Sequence, residues 1–361
     1  MNKIPMICLA FVLTLSSLSV TAGQEAEKVD PVQAMSATSR AFRAAVKKIR
    51  PSLVTIESFG GVTTVQGRIG GIRKQGEGNT TGILISEEGH IVTSTFNFIQ
   101  KPPVITVITS DGKRHFAKFL GRDDTRKICV LKIEKTDEKF SVPEMLSPDK
   151  LQVGQWAISI GVGYGDTTPA ISSGIISATN RIGGRAIQTD ANISPANYGG
   201  PLVDIEGRML GVCVPMNPQS QAIGAGVEWY DSGIGFAVPL AKAKNLLAQL
   251  MKGKNIYPAF LGIRAMQNPD GDGVWIEEVI PKSPAKEAGL SRGDVIVALN
   301  DVEVDDMMEL KKILNGFEAD HEIEIKYVPD GLIKSKKAKA KLTRTPRSKD
   351  APEQLEPPKI R

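Results

Sequence analysis

Thr189-Asp190-Ala191-Asn192-Ile193-Ser194-Pro195-Ala196-Asn197-Tyr198-Gly199-Gly200-Pro201-Leu202 is the stretch on which the reading of this chain turns. Gly199 and Gly200 permit a tight turn and a close backbone approach, and Pro201 opens the next segment with a fixed φ. Tyr198 stands at that turn. Its phenol has an ordinary pKa of about 10 and is overwhelmingly protonated at neutral pH unless strongly perturbed.

On both sides of the turn the chain is written in short β-like runs. They are Leu53-Val54-Thr55-Ile56, Gly82-Ile83-Leu84-Ile85, His90-Ile91-Val92-Thr93, Val104 to Ile108, Val130-Leu131-Lys132-Ile133, Trp156 to Ile160, and Met209-Leu210-Gly211-Val212. Glu88-Gly89, Asp111-Gly112 and Asp204 to Gly207 punctuate them as turns. Many short strands at close spacing predict a mainly β fold, a barrel or sandwich. Gly60 to Gly78, rich in glycine and charge, reads as a surface loop. Ser36 to Ile49 has helical spacing through Phe42, Ala45, Val46 and Ile49, and Pro51 ends it. A second helix is predicted from Pro239 to Met251. Gly253 to Pro258 reads as a hinge, and beyond it strands alternate with one amphipathic helix over Asp305 to Leu314.

Residues 1–22 read as an export signal: Lys3, an apolar run from Ile4 to Val20, and small residues before Gly23. The alternative is an uncleaved anchor. No cysteine follows directly to take a lipid. The expected organisation is therefore signal peptide 1–22, disorder over 23–35, a first domain over 36–252, a second over 257–343, and a charged, proline-bearing disordered tail over 344–361. A net charge of +5, or +4 once Lys3 leaves with the signal, is too mild to argue for nucleic acid. Aromatic content is low, at 5%. Cys129 and Cys213 remain in the mature chain, each within a strand-like run; they read as two buried thiols, with a disulfide as the alternative. Nothing implies a metal or a cofactor.

Two segments make the resemblance specific. Gly82 to Ser86 with Gly89 to Thr93, then Gly121-Arg122-Asp123 with Val130 to Ile133, then the Tyr198 turn and Gly233 to Pro239 follow the order of a chymotrypsin-like protease. Phe260-Leu261-Gly262-Ile263, Ser283 to Leu290, Gly293 to Ile296 and Asn300 resemble a bacterial PDZ domain. Together they resemble the HtrA (DegP/DegQ/DegS-like) family, exported trypsin-fold proteases with C-terminal PDZ domains. The resemblance implies a chymotrypsin-like double β-barrel followed by one PDZ domain of α+β type.

Carried over residue by residue, it also implies a failed triad. The histidine place holds Phe96, the aspartate place Lys127, the serine place Tyr198, and the oxyanion glycine place Ala196. Phe96 can neither accept nor give a proton, and Lys127 brings the wrong charge to orient an imidazolium. His90, His115 and His321 are the only histidines; His90 reads as a surface residue, and Lys127 as a lysine whose head reaches solvent. Ser194 reads as a backbone-bonding turn serine. Ile193, Ile234, Gly235 and Phe236 would line a residual apolar cleft, which Tyr198 either plugs or floors.

In the PDZ-like segment the N–H groups of Leu261, Gly262 and Ile263 would hold a terminal carboxylate beside Phe260. Met307, Leu310 and Leu314 would line an apolar pocket or pack the domain's own core. Gly161 to Gly165 is a strand-to-strand turn rather than a nucleotide loop, since no helix follows. Lys334 to Lys341 alternates lysine with Ala338 and Ala340, as a half-exposed edge strand does.

The expectation is an exported pseudoprotease, periplasmic or secreted, that binds peptides or unfolded segments, C-terminal carboxylates among them. The resemblance implies a homo-trimer or a mixed oligomer with active relatives, and no nucleic acid partner. The rival is a working serine-type endopeptidase of envelope quality control with a non-standard site. A third reading leaves function to the PDZ domain alone.

Overall fold

The computed structural model describes residues 31–59, 64–65, 68–69, 79–98, 102–163, 168–217, 226, 232–314 and 316–344. The signal, most of the Gly60–Gly78 loop and the tail lie outside the described residues. Helix α1 (Pro31–Ile49) begins earlier than Ser36, so the expected disorder over 23–35 does not reach Pro31. Pro31 at the first helical position explains the start, because its φ suits a helix and its missing N–H has no partner there to lose.

The first barrel closes in the order β1, β4, β5, β8, β7, β6. Its strands are β1 (Leu53–Phe59), β4 (Thr80–Leu84), β5 (His90–Ser94), β6 (Val104–Thr109), β7 (Arg114–Asp123) and β8 (Ile128–Ile133). A small ribbon, β2 (Thr64–Val65) and β3 (Arg68–Ile69), lies in the connection between β1 and β4. The second barrel comprises β9 (Trp156–Gly161), β10 (Ala170–Asn180), β11 (Ala186–Thr189), β12 (Pro201–Val203), β13 (Met209–Val214) and β14 (Gly235–Val238). It closes in the order β10, β11, β14, β13, β12, β9. Between β10 and β11 the single turn α2 (Arg181–Gly184) carries Ile182 at φ 52°.

Apolar clusters explain the continuous β-like runs. Alternate residues of one strand enter different cores. Ile83, Val92 and Val130 join Ile158, Ile160, Val212 and Val238 in one core that spans both barrels. Ile56, Leu84, Ile91 and Leu131 fill the first barrel, and Ile187, Leu202, Leu210 and Ala237 the second. Cys129 and Cys213 are free, buried, and in different barrels. Burial pushes both thiols up, Cys213 to about 12.

The predicted helix over 239–251 splits. A tight 3-10 turn covers Leu240–Lys242, and α3 (Lys244–Met251) follows. Neither turn has a side-chain cap, so the chain satisfies its first donors by tightening. The last domain has a sheet in the order β16, β17, β18, β20, β21 with β19 on β18. These are β16 (Ile263–Gln267), β17 (Val274–Val279), β18 (Val295–Leu299), β19 (Val302–Glu303), β20 (Glu322–Val328) and β21 (Lys336–Lys341). The pair β15 (Ala259–Phe260) and β22 (Thr343–Arg344) flanks it, with a short α4 (Pro284–Glu287) and α5 (Met307–Leu314). It has its own core around Val274, Ile276, Leu299 and Ile325. β21 is the edge strand expected, with Ala340 buried and Lys337, Lys339 and Lys341 exposed.

Gly253 to Pro258 is not a free hinge throughout. Ile256 donates its N–H to the Arg122 carbonyl at 2.8 Å and accepts from the Asp124 N–H at 3.0 Å. On the other side Tyr257 accepts from the Ala319 N–H at 3.1 Å. The connection is therefore hydrogen-bonded to the first barrel and to the last domain at once. Arg126 adds a bridge, 2.8 Å from Asp123 and 3.5 Å from Glu318.

Candidate functional site

β5 ends in a 3-10 turn, Thr95–Phe98, every residue of which is buried. The turn is held by the Lys127 carbonyl, which accepts from the Thr95 N–H at 2.9 Å. It carries Phe96 across the interface into the second barrel's core, where it joins Tyr198. The two rings meet edge to face, with centroids 5.2 Å apart and planes at 80°. Each residue is only 2% exposed. Of the three positions singled out in the sequence, Phe96 and Tyr198 meet directly, and Lys127 is joined to the same turn through its backbone carbonyl.

The turn at Tyr198 is built by backbone bonds. Gly199 has φ 88°, and a Cβ there would stand 2.2 Å from Thr93 Oγ1, so only glycine fits. The Asn197 and Tyr198 N–H groups both donate to the Ser194 carbonyl, at 3.0 and 3.1 Å. Asn97 Nδ2 donates to the Tyr198 carbonyl at 3.1 Å. Ser194 donates its hydroxyl to Asn197 Oδ1 at 3.1 Å, as a turn serine should. Ala196 is 6% exposed, and its carbonyl accepts from Thr81 Oγ1 at 2.7 Å. It is not among the residues with positive φ. An oxyanion site needs N–H groups aimed at a developing charge. Here the Tyr198 N–H is already spent on Ser194.

Lys127 corrects the sequence reading. Its side chain does not reach solvent: the residue is 4% exposed and sits at φ 58°. Burial lowers its pKa to about 8, opposed by the nearby Asp124 carboxylate. Burial also raises Asp124, which Arg122 Nε contacts at 2.5 Å. The neighbouring Asp123 is fully buried and accepts from Thr125 N at 2.8 Å, Arg126 N at 3.1 Å and Arg126 Nη1 at 2.8 Å. The loop is a charge cluster paired within itself and, through Arg126, with Glu318, and among the described residues it holds no imidazole to orient.

His90 is half-buried rather than a surface residue, its Nδ1 2.8 Å from Ser86 Oγ; burial and then Lys132 lower its pKa. His115 lies on β7 against Phe140, centroids 5.8 Å apart, and His321 beside Phe317 in the last domain. The residual cleft is lined by Ile193, Tyr198, Val214, Ile234, Gly235 and Phe236 among others. Tyr198 is one of the residues that line this cleft.

In the last domain the loop after β15 turns at Gly262, φ 86°. Its carbonyls are committed inward: Leu261 O accepts from Ala285 N at 2.9 Å, and Gly262 O from Ile280 N at 2.9 Å and Ser283 Oγ at 3.2 Å. Among the described residues no acceptor takes the Leu261 or Gly262 N–H. β16 follows as the sheet's edge, and α5 packs beside it. Phe260, Ile263, Met307 and Leu314 are half-buried along this edge, while Leu310 is 2% exposed and belongs to the core. Asn97, Thr81 and Thr93, which clamp the Tyr198 turn, were not foreseen. Asn97 carried a signal, a polar residue inside the apolar run Phe96-Asn97-Phe98.

Comparison with known proteins agrees with this geometry. Residues 80–212 match the trypsin-like peptidase domain family and residues 259–341 the PDZ domain family. A probable periplasmic serine endoprotease, DegP-like, of Chlamydia trachomatis is 34% identical over 268 residues, 70% of this chain and 51% of the relative. A probable periplasmic serine protease, do/HhoA-like, of Haemophilus influenzae is 31% identical over 306 residues, 79% of this chain and 61% of the relative. The chain thus spans about half to three-fifths of these relatives. Among solved structures, the serine endoprotease from Yersinia pestis superposes with TM-score 0.64 at 24% identity, covering 84% of this chain and 98% of that one. The HtrA-type protease AlgW with decapeptide gives TM-score 0.64 at 24% identity, covering 85% and 99%.

The two barrels and the last domain define a trypsin-like peptidase fold joined to a PDZ domain. The chain belongs to the HtrA family of DegP-like proteins.

Proposed function

We propose that this chain is a pseudoprotease of the HtrA family that holds peptide segments without cutting them. The observation that carries this is the buried edge-to-face pair of Phe96 and Tyr198. Acyl transfer needs a base hydrogen-bonded to a nucleophile, and this pair offers two packed rings instead. Consumption of the Tyr198 N–H by the Ser194 carbonyl supports the same reading, since it removes a donor from the oxyanion site.

Binding falls to the PDZ domain. The N–H groups of Leu261 and Gly262, which have no acceptor among the described residues, receive a terminal carboxylate, and the peptide adds antiparallel to β16 beside Met307 and Leu314. The periplasmic relatives support export of this chain to the same kind of compartment. Within the described residues no helix is long and apolar enough to cross a membrane. An adaptor or holding role for unfolded segments follows.

The test incubates purified protein with unfolded casein and, separately, with a fluorophosphonate probe. Casein co-elutes uncut and no residue is labelled if the reading is right. Time-dependent cleavage, or label on Tyr198, establishes the rival reading of a protease with an unorthodox site.

A further inference from the structure

The turn between β20 and β21 presents two aliphatic side chains to solvent. Ile333 is 98% exposed and Leu332 52%, the first being the most exposed large hydrophobic residue described. Such residues normally find cover, and their exposure here is enforced by the turn. Leu332 N donates to the Pro329 carbonyl at 3.0 Å, and Gly331 sits at φ 69°. Asp330 N donates to Asp294 Oδ1 at 3.2 Å, which ties the tip to the buried Asp294. Gly293 packs against Asp330 so closely that a Cβ would stand 2.6 Å from its carboxyl carbon. The tip is anchored from behind, and the Leu-Ile pair cannot fold back over the sheet without breaking that anchor.

The charge around the pair is of one predominant sign. Lys334 and Lys336 follow it directly, Lys326 lies on β20 opposite Lys337, and Arg292 adjoins Gly293; all four are exposed. Among the described residues none of them enters an ion pair. By contrast Lys337 and Lys339 further along β21 are answered by Glu324 at 2.5 Å and Glu322 at 3.4 Å. Asp330 is the single exposed acid in the turn itself. Four cations without an ion pair thus lie towards the apolar end of the hairpin, while Lys341 at its far end is the other β21 lysine in no ion pair among the described residues.

We propose that this hairpin tip is a contact for an anionic lipid surface, with Leu332 and Ile333 seated at the headgroup boundary and Lys326, Arg292, Lys334 and Lys336 paired with phosphates. A convex aliphatic wedge ringed by free cations suits a bilayer, whose interface supplies apolar depth and diffuse negative charge. It places the PDZ domain's sheet edge on β21 next to the membrane, a site separate from β16.

The test uses the chain beginning at Gly23, which keeps every described element and drops an apolar run that would partition by itself. It is sedimented with vesicles of equal phosphatidylglycerol and phosphatidylcholine, and with phosphatidylcholine alone. Binding is expected to the anionic vesicles only, weakened about fivefold by K336Q. The L332S/I333S pair lowers it at least about tenfold with an unchanged unfolding midpoint. In I333W, tryptophan emission shifts to the blue on anionic vesicles. Equal sedimentation of L332S/I333S and the parent overturns the proposal, as does loss on K336Q with no spectral shift in I333W. Failure to sediment, with tip-dependent retention on polyglutamate, overturns it in favour of an acidic polypeptide partner.

Discussion

Tyr198→Ser returns the hydroxyl type that the turn would need for nucleophilic attack, and the structure says it makes the protein worse at everything. The tyrosine is 2% exposed and meets Phe96 at 5.2 Å, inside a core with Ile187, Leu202 and Leu210. Truncating a fully buried aromatic costs about 3–5 kcal/mol, of which the edge-to-face pair accounts for about 1. For a domain of this size that is a fall of about 10 °C in unfolding temperature. No activity is gained, because the new hydroxyl faces Phe96 and a Tyr198-position N–H already bonded to Ser194 at 3.1 Å. The assay is paired: urea unfolding followed by tryptophan fluorescence, and fluorophosphonate labelling with casein hydrolysis on the same preparation. A loss below about 1 kcal/mol shows that the ring is not part of the core. Labelling of the new serine shows that a base reaches the turn. Either result defeats the reasoning.

Two further expectations follow from single residues. Lys127 has its pKa lowered from 10.5 to about 8 by burial, so between those values the unfolded chain holds a proton the folded chain has released. Stability therefore rises with pH across that window, by about 3 kcal/mol at most, and K127M is more stable at pH 7 and lacks the rise; equal urea midpoints for both proteins at pH 7 and pH 10 would falsify this. At Gly262 a Cβ would stand 2.1 Å from that of Ser283 at φ 86°, so G262A distorts the loop. Fluorescence anisotropy should show at least about a tenfold weaker hold on a peptide with a free C-terminal carboxylate, while the C-terminally amidated peptide binds weakly to both forms. Indifference of the parent protein to amidation removes the carboxylate site.

The barrels were legible because their information is local. Glycine turns and apolar runs of strand length mark each strand, and the Tyr198 turn needs Gly199 for a reason any backbone shares. The positions 96, 127 and 198 were singled out from neighbours such as Thr93 and Cys129, and the structure buries all three. What could not be read was long-range. The burial of Lys127 depends on a loop conformation and on Asp124, and nothing in the spacing of Gly121 to Ile133 distinguishes it from a solvated lysine. Likewise Gly253 to Pro258 has the composition of a hinge, and only the folded partners at Arg122, Asp124 and Ala319 make Ile256 and Tyr257 a splint. The pocket residues Met307, Leu310 and Leu314 share one helical spacing, yet only packing separates the buried Leu310 from its half-exposed neighbours.

Phe96 and Tyr198 also explain each other. A histidine at Phe96 would sit in a site that is 2% exposed, against an apolar core, with Tyr198 as its nearest ring. There it would lose stability as an unpaired polar group, by about 1–3 kcal/mol. A serine at Tyr198 leaves a void against Phe96, as argued above. Reverting either residue alone is therefore unfavourable, whereas the aromatic pair satisfies the site as a unit. Lys127 lies outside this pairing: the charges that act on its ammonium are those of Asp124, Arg122 and Asp123. The loop of Lys127 is a charge cluster that reaches the last domain through Arg126 and Glu318, and beside it Phe96 and Tyr198 pack as an apolar pair. Ile256, bonded to Arg122 and Asp124 of that loop, and Tyr257, bonded to Ala319 of the PDZ domain, join this loop to the last domain through backbone hydrogen bonds.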